Sequence, residues 1–205
     1  MREAFIRELF GALASDYTRV TADCRYVLWQ HLPAELMAVC PMGPGQTLLD
    51  LGCGTGLCSR PFLAAGVEVH GQDLVPEMLD QARALPFSSL QCASLETFPL
   101  PWPTAGFDAV IMSGVTEFLL QHEALVAEIR RVLRPGGWLA VTFPDLSSRD
   151  ALEQAAEVRL FDRAGVLSLF ASADWSVASC DLVEGWVSQS GHPVNYHRVL
   201  AQATS

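Results

Sequence analysis

The residues best suited to chemistry are an acid and three glycines close behind it. Asp50 ends a short apolar run, and Gly52, Gly54 and Gly56 follow at two-residue intervals. Glycine adopts positive φ readily and lets a ligand approach the main-chain N–H groups, while a helix expected from Leu57 would add its positive end. The pattern predicts a buried strand that leads into a ligand-binding turn, with a carboxylate at its edge.

The glycine spacing separates this turn from two common nucleotide-binding turns. A dinucleotide fingerprint has the pattern G-x-G-x-x-G, but here the third glycine comes one residue early and Leu57 occupies its place. A P-loop requires Gly-Lys-Ser/Thr, and the chain contains no lysine. Both of these ligand classes are therefore disfavoured.

A second acid follows one strand later. Residues 67–73 read as a strand that ends at Asp73, 23 residues after Asp50. An acid at the tip of the second strand of a βαβ unit is placed to accept hydrogen bonds from both ribose hydroxyls of an adenosine-containing cofactor. Asp73 is thus the predicted ribose-binding residue.

The elements around these residues alternate between strand and helix. The predicted strands, with helices between the first five, cover residues 47–51, 67–73, 90–92, 107–113, 138–143, 177–187 and 194–201. Such alternation predicts a doubly wound parallel sheet whose ligand crevice lies outside the carboxyl ends of the strands. Asp50, Asp73, Ser94 and Ser113 all fall at such ends. The last two strands, joined by a short turn, are expected to pair antiparallel.

A helical segment precedes the sheet. Phe5, Leu9, Leu13 and Tyr17 recur every four residues and predict an apolar stripe on one helix face. We interpret residues 1–205 as one domain with three parts. These are a helical cap at 1–40, a cofactor-binding core at 45–145, and a lid helix near 150–158 with a C-terminal hairpin within 146–205.

Composition restricts the partners. The 205 residues carry a net charge of −10, which repels phosphate backbones and disfavours nucleic-acid binding. The six cysteines lack metal-ligand spacing, so reduced thiols, no metal site and a cytoplasmic location are expected. No signal peptide is recognised, and no uncharged apolar run reaches the ~18 residues of a membrane span.

Three motifs together resemble one family. The pattern Asp50-x-Gly-x-Gly-x-Gly, the pair Phe107-Asp108 at the start of a strand, and the run Arg134-Pro135-Gly136-Gly137 before the next strand are similar to class I S-adenosylmethionine-dependent methyltransferases. The resemblance is broadly to the ubiquinone- and menaquinone-biosynthesis type (methyltransferase type 11) and covers residues 40 to 145. It implies a Rossmann-like, seven-stranded, mainly parallel sheet with an antiparallel last strand.

The resemblance also implies S-adenosylmethionine as cofactor, S-adenosylhomocysteine as product, and a set of binding residues. The implied cofactor-binding residues are Asp50, Gly52, Cys53, Gly54, Gly56, Asp73, Leu74, Met78, Ser94, Leu95 and Ser113. Family members often hold the adenine amino group with an acid where Ser94 stands. A shift of the alignment by two residues would give that role to Glu96.

Methyl transfer from a sulfonium depends mainly on orientation and water exclusion, and it needs a general base only when the acceptor must lose a proton. Glu117 and His122, after the fourth strand, are the candidate catalytic residues, and Tyr17 and Tyr26 in the cap are candidate substrate contacts. The Asn/Asp-Pro-Pro-Tyr segment of many base and glutamine methyltransferases is missing. A small, partly apolar metabolite is therefore the expected acceptor, with O, N, C and S all open as the acceptor atom.

Two other functions remain open from the sequence. A S-adenosylmethionine-binding subunit without catalysis of its own is one, because no catalytic base stands out. A protein methyltransferase is the other, because an acidic surface suits a basic partner. The sequence does not predict an oligomeric state.

Overall fold

The computed structural model describes residues 2–149, 158–188 and 191–204. Its strands are, in chain order, β1 (Thr47–Leu51), β2 (Glu68–Asp73), β3 (Ser89–Cys92), β4 (Phe107–Met112), β5 (Leu133–Pro144), β6 (Trp175–Val187) and β7 (Pro193–Ala203). They form a seven-stranded sheet in the order β3-β2-β1-β4-β5-β7-β6.

The strand directions confirm the predicted fold class. β1 pairs in parallel with β2 and β4, and β3 and β5 extend these parallel pairings outward. β7 lies antiparallel between β5 and β6, which makes it the reversed strand that the hairpin signal predicted. The order reverses at β1 and β4, so the carboxyl ends of these two strands flank the crevice in which ligands of doubly wound sheets bind.

The helices cover both faces of this sheet. They are α1 (Arg2–Leu13), α2 (Tyr17–Asp23), α3 (Leu28–Val39), α4 (Arg60–Ala64), α5 (Pro76–Ala82), α6 (His122–Val132) and α7 (Arg163–Ser168). Short 3-10 turns occupy Ala14–Asp16, Thr116–Phe118 and Leu146–Ser148.

The central strands are buried on both faces, as their apolar runs predict. Leu48 and Ile111 belong to the core under α3 and α4, whereas Leu49 and Val110 belong to the core under α6. All four side chains are fully buried. Because successive strand residues point to opposite faces, each strand contributes to two separate cores and locks the helices on both sides.

Two of the motifs that indicated the family meet at the amino ends of the strands, away from the crevice. Arg134 Nη1 lies 2.5 Å from Asp108 Oδ1. The other carboxylate oxygen of Asp108 accepts hydrogen bonds from the main-chain N of Thr47 (2.8 Å) and its hydroxyl (3.0 Å). Asp108 therefore joins the starts of β1, β4 and β5, and this pair of motif residues is structural.

The cap differs from its predicted register. Phe5 and Leu9 are 49% and 39% exposed, whereas Ile6, Phe10 and Ala14, one residue further on, pack against α5. The predicted stripe is therefore wrong at Phe5 and Leu9, whereas its last member, Tyr17, packs in the same cluster as Ile6 and Phe10. Both repeats are apolar, and only the position of α5 decides which of them faces inward.

Some element boundaries also differ. The first sheet helix, expected from Leu57, begins at Arg60, with residues 57–59 in turns, and it is only five residues long. Pro61 lies in its first turn, where backbone N–H groups have no partner within the helix, so the missing N–H of proline costs no hydrogen bond. β5, expected from Trp138, begins at Leu133, directly after α6 ends at Val132, and so includes Arg134. Residues 150–157 of the predicted lid helix lie outside the described part of the chain.

Replacing Asp108 by Ala should destabilise the fold, because the main-chain N–H of Thr47 loses its acceptor and Arg134 its partner. For such a partly exposed group we expect a loss of about 1 to 2 kcal/mol in the free energy of unfolding, measured by urea titration at neutral pH. The exposed Asp174→Ala serves as the matched control and should change little.

The loss of stability caused by Asp108→Ala should also depend on pH. Burial opposes ionisation of Asp108, but the hydrogen bonds from Arg134 and Thr47 outweigh it and lower its pKa. A carboxylate with a lowered pKa stabilises the fold above its unfolded pKa and loses this contribution as pH falls through the folded value. The difference in the free energy of unfolding between wild type and Asp108→Ala should therefore become smaller at acid pH. A difference that does not change with pH would contradict this role of Asp108.

Candidate active site

Two hollows open at the carboxyl ends of β1, β2 and β4. The large hollow, about 760 Å³ with the space at its open mouth included, extends from Gly52 and Gly54 past Asp73 to residues 94–96. The small hollow, about 360 Å³ on the same basis, extends from the same two glycines to Asp50. Each hollow thus contains one of the two acids that the sequence analysis selected.

The hollows meet at four residues that line both of them: Tyr17, Gly52, Gly54 and Ser113. We call this set the junction. Its members come from α2, from the turn after β1 and from the end of β4, so the cap and the sheet both contribute to it. A ligand that occupied both hollows would have its middle part at the junction.

The glycines of the turn provide space. Gly52 (φ +73°) would place a Cβ 2.3 Å from Val115, and a Cβ on Gly54 (φ +53°) would project into open space at the junction. The N–H groups of Gly52 and Cys53 donate to the carbonyl of Gln72, at 2.7 and 3.1 Å. The expectation that this turn offers main-chain donors to a ligand is therefore wrong for these two residues, since β2 already uses them.

Asp73 is held by main-chain donors on both sides. Its Oδ2 accepts from the N–H of Gly54 and its Oδ1 from the N–H of Val75, each at 2.8 Å. Burial raises the pKa of Asp73 and outweighs the hydrogen bonds from Val75 and Gly54, which lower it. Each carboxylate oxygen retains a further lone pair, so this carboxylate can accept from two ligand hydroxyls without releasing the turn.

Asp50 is the buried acid of the small hollow. Its Oδ2 accepts a hydrogen bond of 2.6 Å from the hydroxyl of Ser59, which is fully buried. Burial raises the pKa of Asp50 to about 7, with the Ser59 bond acting against the rise and the charge of Asp73 adding to it. Such a carboxyl group becomes an anion when a cation binds beside it.

Gln72, which the sequence analysis missed, supports the far end of the large hollow. Its Nε2 donates to the carbonyls of Ser94 (3.2 Å) and Ala93 (3.4 Å), while Trp102 Nε1 donates to its Oε1 at 2.6 Å. Gln72 is fully buried and Trp102 nearly so. The available signal was weak: Gln72 is the polar residue one position before the strand-end acid, but Glu68 and His70 of the same strand are polar too.

Ser94 and Glu96 both line the large hollow. The Ser94 hydroxyl accepts from the N–H of Glu96 at 3.0 Å. Glu96 Oε1 accepts from the N–H groups of Leu120 and Gln121, at 2.5 and 3.0 Å, and so connects this segment to the start of α6. Glu96 has a structural task, whereas the Ser94 hydroxyl retains its proton for a ligand.

The cap closes the large hollow. Ile6 and Phe10 of α1 line it, and the ring of Phe10 packs edge-on against Phe118 at 5.4 Å between centroids. Arg2 Nη2 donates to the main-chain carbonyl of Glu117 at 3.0 Å, which fastens the first turn of α1 to the turn after β4. The apolar lining from α1 was missed because the predicted stripe was one residue out.

The two cap tyrosines reach the junction from one side. The Tyr26 hydroxyl lies 2.8 Å from the Ser113 hydroxyl, and a Cβ on Gly114 would lie 2.6 Å from the same tyrosine oxygen. Burial raises the pKa of both Tyr17 and Tyr26 well above the usual range. Both phenols are therefore neutral hydrogen-bonding groups in this site.

The two candidate catalytic residues lie in different surroundings, and neither lines a hollow. His122 is buried, with Nε2 donating to the carbonyl of Thr116 (2.8 Å) and Nδ1 facing Arg159 (3.2 Å). Burial lowers its pKa, so it is neutral and holds the turn in place. Glu117 is a buried carboxyl whose Oε1 accepts from Tyr196 at 3.0 Å.

The structure brings most of the predicted cofactor residues to the two hollows. Those that line at least one of them are Asp50, Gly52, Cys53, Gly54, Asp73, Leu74, Met78, Ser94, Leu95 and Ser113. Gly56 does not, because its α-carbon faces Leu85 and Phe87, which a Cβ would approach to 2.7 and 2.9 Å. Tyr17 and Tyr26 line the small hollow.

Within the described ranges, no three His, Cys, Asp or Glu side chains are grouped as metal ligands would be. The search for an apolar helix of at least 18 residues, made over those same ranges, also found none that could cross a membrane. All six cysteines are free thiols.

Residues 49–141, which contain the end of β1, all of β2 and β4, and both acids, match the family model of a methyltransferase domain. This match and the relatives described below support a class I S-adenosylmethionine-dependent methyltransferase. This confirms the predicted family and the predicted cofactor, S-adenosylmethionine. The acids and glycines of the two hollows fit that cofactor, which carries ribose hydroxyls at one end and an ammonium group at the other.

Individual relatives of this methyltransferase chain differ in the acceptor that their names give. A demethylmenaquinone methyltransferase of Symbiobacterium thermophilum is 31% identical over 144 residues, which are 66% of this chain and 57% of that protein. A trans-aconitate 2-methyltransferase of Methylobacterium radiotolerans is 33% identical over 177 residues, 84% of this chain and 62% of that protein. The chain thus spans about 60% of the length of these relatives.

A solved structure of similar fold is 1,6-didemethyltoxoflavin-N1-methyltransferase of Burkholderia thailandensis, with its substrate and S-adenosylhomocysteine bound. It superposes with a TM-score of 0.72 over 98% of this chain and 88% of that chain, at 19% identity. At this identity the match supports the fold alone.

Gln72→Leu should loosen the far end of the large hollow, since the carbonyls of Ala93 and Ser94 and the N–H of Trp102 lose their partner. We expect S-adenosylhomocysteine to bind about tenfold more weakly, a change of about 1.4 kcal/mol, by isothermal titration calorimetry. Gln81→Leu, an exposed glutamine on α5, is the control. Equal affinities of the two variants would show that Gln72 does not position this segment.

Proposed function

We propose that this chain transfers a methyl group from S-adenosylmethionine to a small, partly apolar molecule. The observation that carries the proposal is the pair of hollows that meet at the junction, with Asp73 in one and Asp50 in the other. An adenosyl group and an amino-acid group, joined through one sulfur, match this division of space and charge.

Within this proposal, the large hollow takes the adenosyl part. Asp73 accepts hydrogen bonds from the ribose hydroxyls, and Leu74, Met78 and Leu95 supply apolar contacts to the adenine. Ser94, held in place by Gln72, is the nearest candidate for the adenine amino group. The support is that Asp73, Leu74, Met78, Ser94 and Leu95 all line the same hollow.

The small hollow takes the amino-acid part. The buried carboxyl of Asp50 is suited to an ammonium group, because a cation beside it offsets the cost of burying its charge. Thr55, also in this hollow, has a buried hydroxyl oxygen with no hydrogen-bond partner among the described residues. A ligand group is a plausible missing partner for that hydroxyl.

The bound cofactor supplies an electrophilic methyl group on a sulfonium, which is displaced in line by the acceptor. The chain contributes orientation and water exclusion. Ile6 and Phe10 cover the adenosyl side, while Tyr17 and Tyr26 enclose the junction. The apolar and aromatic character of this cover supports a partly apolar acceptor, and the demethylmenaquinone in the name of one relative agrees with it.

Asp73→Ala should weaken binding of S-adenosylmethionine strongly, because two charge-assisted hydrogen bonds to the ribose are lost. At about 1.5 to 3 kcal/mol for a hydrogen bond to a charged group, we expect at least a tenfold rise in Kd by calorimetry. Asp80→Ala, an exposed acid on α5, should bind as wild type does, and thermal unfolding of both variants checks that they fold. Tight binding of a nicotinamide dinucleotide in place of S-adenosylmethionine would refute the proposal.

Cofactor binding should also depend on pH. Because the pKa of Asp50 is raised to about 7 without ligand and the ligand favours its anion, binding below this pH must release a proton. The affinity for S-adenosylmethionine should therefore increase as pH rises through about 7. Calorimetry in two buffers of different ionisation enthalpy measures the released proton, and Asp50→Asn should abolish that release. If binding releases no proton near this pH, the assignment of Asp50 to the ammonium group fails.

Methyl transfer itself is tested with tritiated cofactor and a set of small acceptors. Binding without transfer to any acceptor would favour a S-adenosylmethionine-binding subunit over an enzyme. Transfer only to protein in a cell extract would favour a protein methyltransferase.

A further inference from the structure

The position of the reacting methyl group follows from the proposed function, on which this inference rests. A cofactor that spans both hollows has its sulfur where the adenosyl and amino-acid parts join, which is the junction. The acceptor must therefore approach the junction from the side that neither hollow occupies. Buried groups of the cap, of the turn after β4 and of β7 lie next to the junction: Tyr26 lies within hydrogen-bond distance of Ser113, and Tyr196 packs with Tyr26 and donates to Glu117.

Glu117 is the acid of this group. Its main-chain carbonyl accepts from the N–H of Arg159 at 2.9 Å and from Arg2, so the backbone of the turn is fixed. Its side chain is only 6% exposed. The Oε1 atom accepts from Tyr196, whereas the buried Oε2 atom has no hydrogen-bond partner among the described residues.

Phenol groups connect Glu117 to the junction. Tyr196, which donates to Glu117, packs in one cluster with Tyr26, and the Tyr26 hydroxyl lies 2.8 Å from that of Ser113, a junction residue. Trp186 Nε1 donates to the Tyr196 hydroxyl at 3.3 Å and orients it toward Glu117. A buried carboxylate oxygen with no partner is costly to the fold, and a ligand hydrogen is one way to satisfy it.

We propose that Oε2 of Glu117 accepts the proton of the methyl acceptor, and that this acceptor is a neutral molecule carrying an O–H or N–H group. The oxygen or nitrogen of the acceptor forms the new bond to the methyl carbon as the carbon–sulfur bond breaks. The electron pair of that bond stays on sulfur, which gives S-adenosylhomocysteine, and the acceptor proton passes to Glu117.

The protonation of Glu117 suits this role. Burial raises its pKa to about 7, against hydrogen bonds from its own N–H and from Tyr196. The groups that face it are Arg2 of α1, Tyr17 of α2, Tyr196 of β7 and the N–H of Arg159. A carboxylate with a pKa near the working pH is an effective general base.

The charge around the junction disfavours an anionic acceptor. Asp50 and Asp73 each line one of the two hollows that meet there, and Arg2 is the one cationic side chain among the described residues that line them. Residues 150–157 and 189–190 contain no Arg, Lys or His. A carboxylate acceptor would face repulsion here, whereas a neutral acceptor would not.

The first test compares acceptors on the full chain with tritiated S-adenosylmethionine. Hydroquinone supplies an O–H group, aniline an N–H group and benzoate a carboxylate of similar size. We expect transfer to hydroquinone or aniline and none to benzoate. Preferred transfer to benzoate, or no transfer to either protic probe by protein that binds S-adenosylhomocysteine, would overturn the inference and leave cofactor binding intact.

The second test changes Glu117 and follows rate against pH. The wild-type rate should rise with pH through about 7, as Glu117 ionises. Glu117→Gln, which can still accept from Tyr196, should lose that rise and at least about 100-fold in kcat, with cofactor affinity retained. Glu123→Gln, an exposed acid of α6, is the matched control and should behave as wild type.

The Tyr196→Phe variant distinguishes a Glu117 that acts as general base from a Glu117 whose carboxyl group is only structural. The hydrogen bond from Tyr196 lowers the pKa of Glu117, so its removal should move the rise in rate to higher pH. Infrared difference spectra of the protein without ligands, wild type minus Glu117→Gln, should show a protonated carboxyl band that fades through the same pH. A rate profile unchanged by Tyr196→Phe, or no titrating band near this pH, would contradict the assignment.

Discussion

The carboxylate of Asp73 is the constraint on which the site depends. It ends β2, and its hydrogen bond to the N–H of Gly54 ties the glycine-rich turn after β1 to that neighbouring strand. The carbonyl of Gln72 takes the N–H groups of Gly52 and Cys53 in the same way. The N–H groups of Gly52, Cys53 and Gly54 are therefore already hydrogen-bonded and hold the turn in place. The glycines of the turn leave the space in which a cofactor can lie. A cofactor that binds to Asp73 therefore adds to an arrangement that already exists.

The second constraint on the site is the cost of burying negative charge. Asp50, Asp73 and Glu117 all have a raised pKa because burial penalises their anions. A cationic cofactor offsets this cost, so the cost of burying the acids favours a sulfonium with an ammonium group over an anionic nucleotide. Cofactor choice, the pH dependence of binding and the proposed base share this single physical origin.

The sequence predicted the sheet and most of the cofactor side because both are encoded by local signals. Apolar runs that end in Asp50 and Asp73 specify strands and their carboxyl ends, and parallel pairing brings these ends together. The cap was harder, because Phe5-Leu9 and Ile6-Phe10 are equally good stripes and only packing against α5 distinguishes them. Gln72 and Tyr196 were missed since their roles come from partners at least twenty residues away in the sequence, at Ser94 and Trp102 for the first and Glu117 for the second.

The central claim is that one cofactor spans both hollows, with Asp73 at its ribose and Asp50 at its amino-acid end. A crystal structure of the chain with S-adenosylhomocysteine tests this most directly. The account predicts ribose hydroxyls within hydrogen-bond distance of Asp73, the ammonium group beside Asp50, and the sulfur at the junction of Tyr17, Gly52, Gly54 and Ser113. A ligand confined to the large hollow, with its amino-acid end pointing away from Asp50, would contradict it.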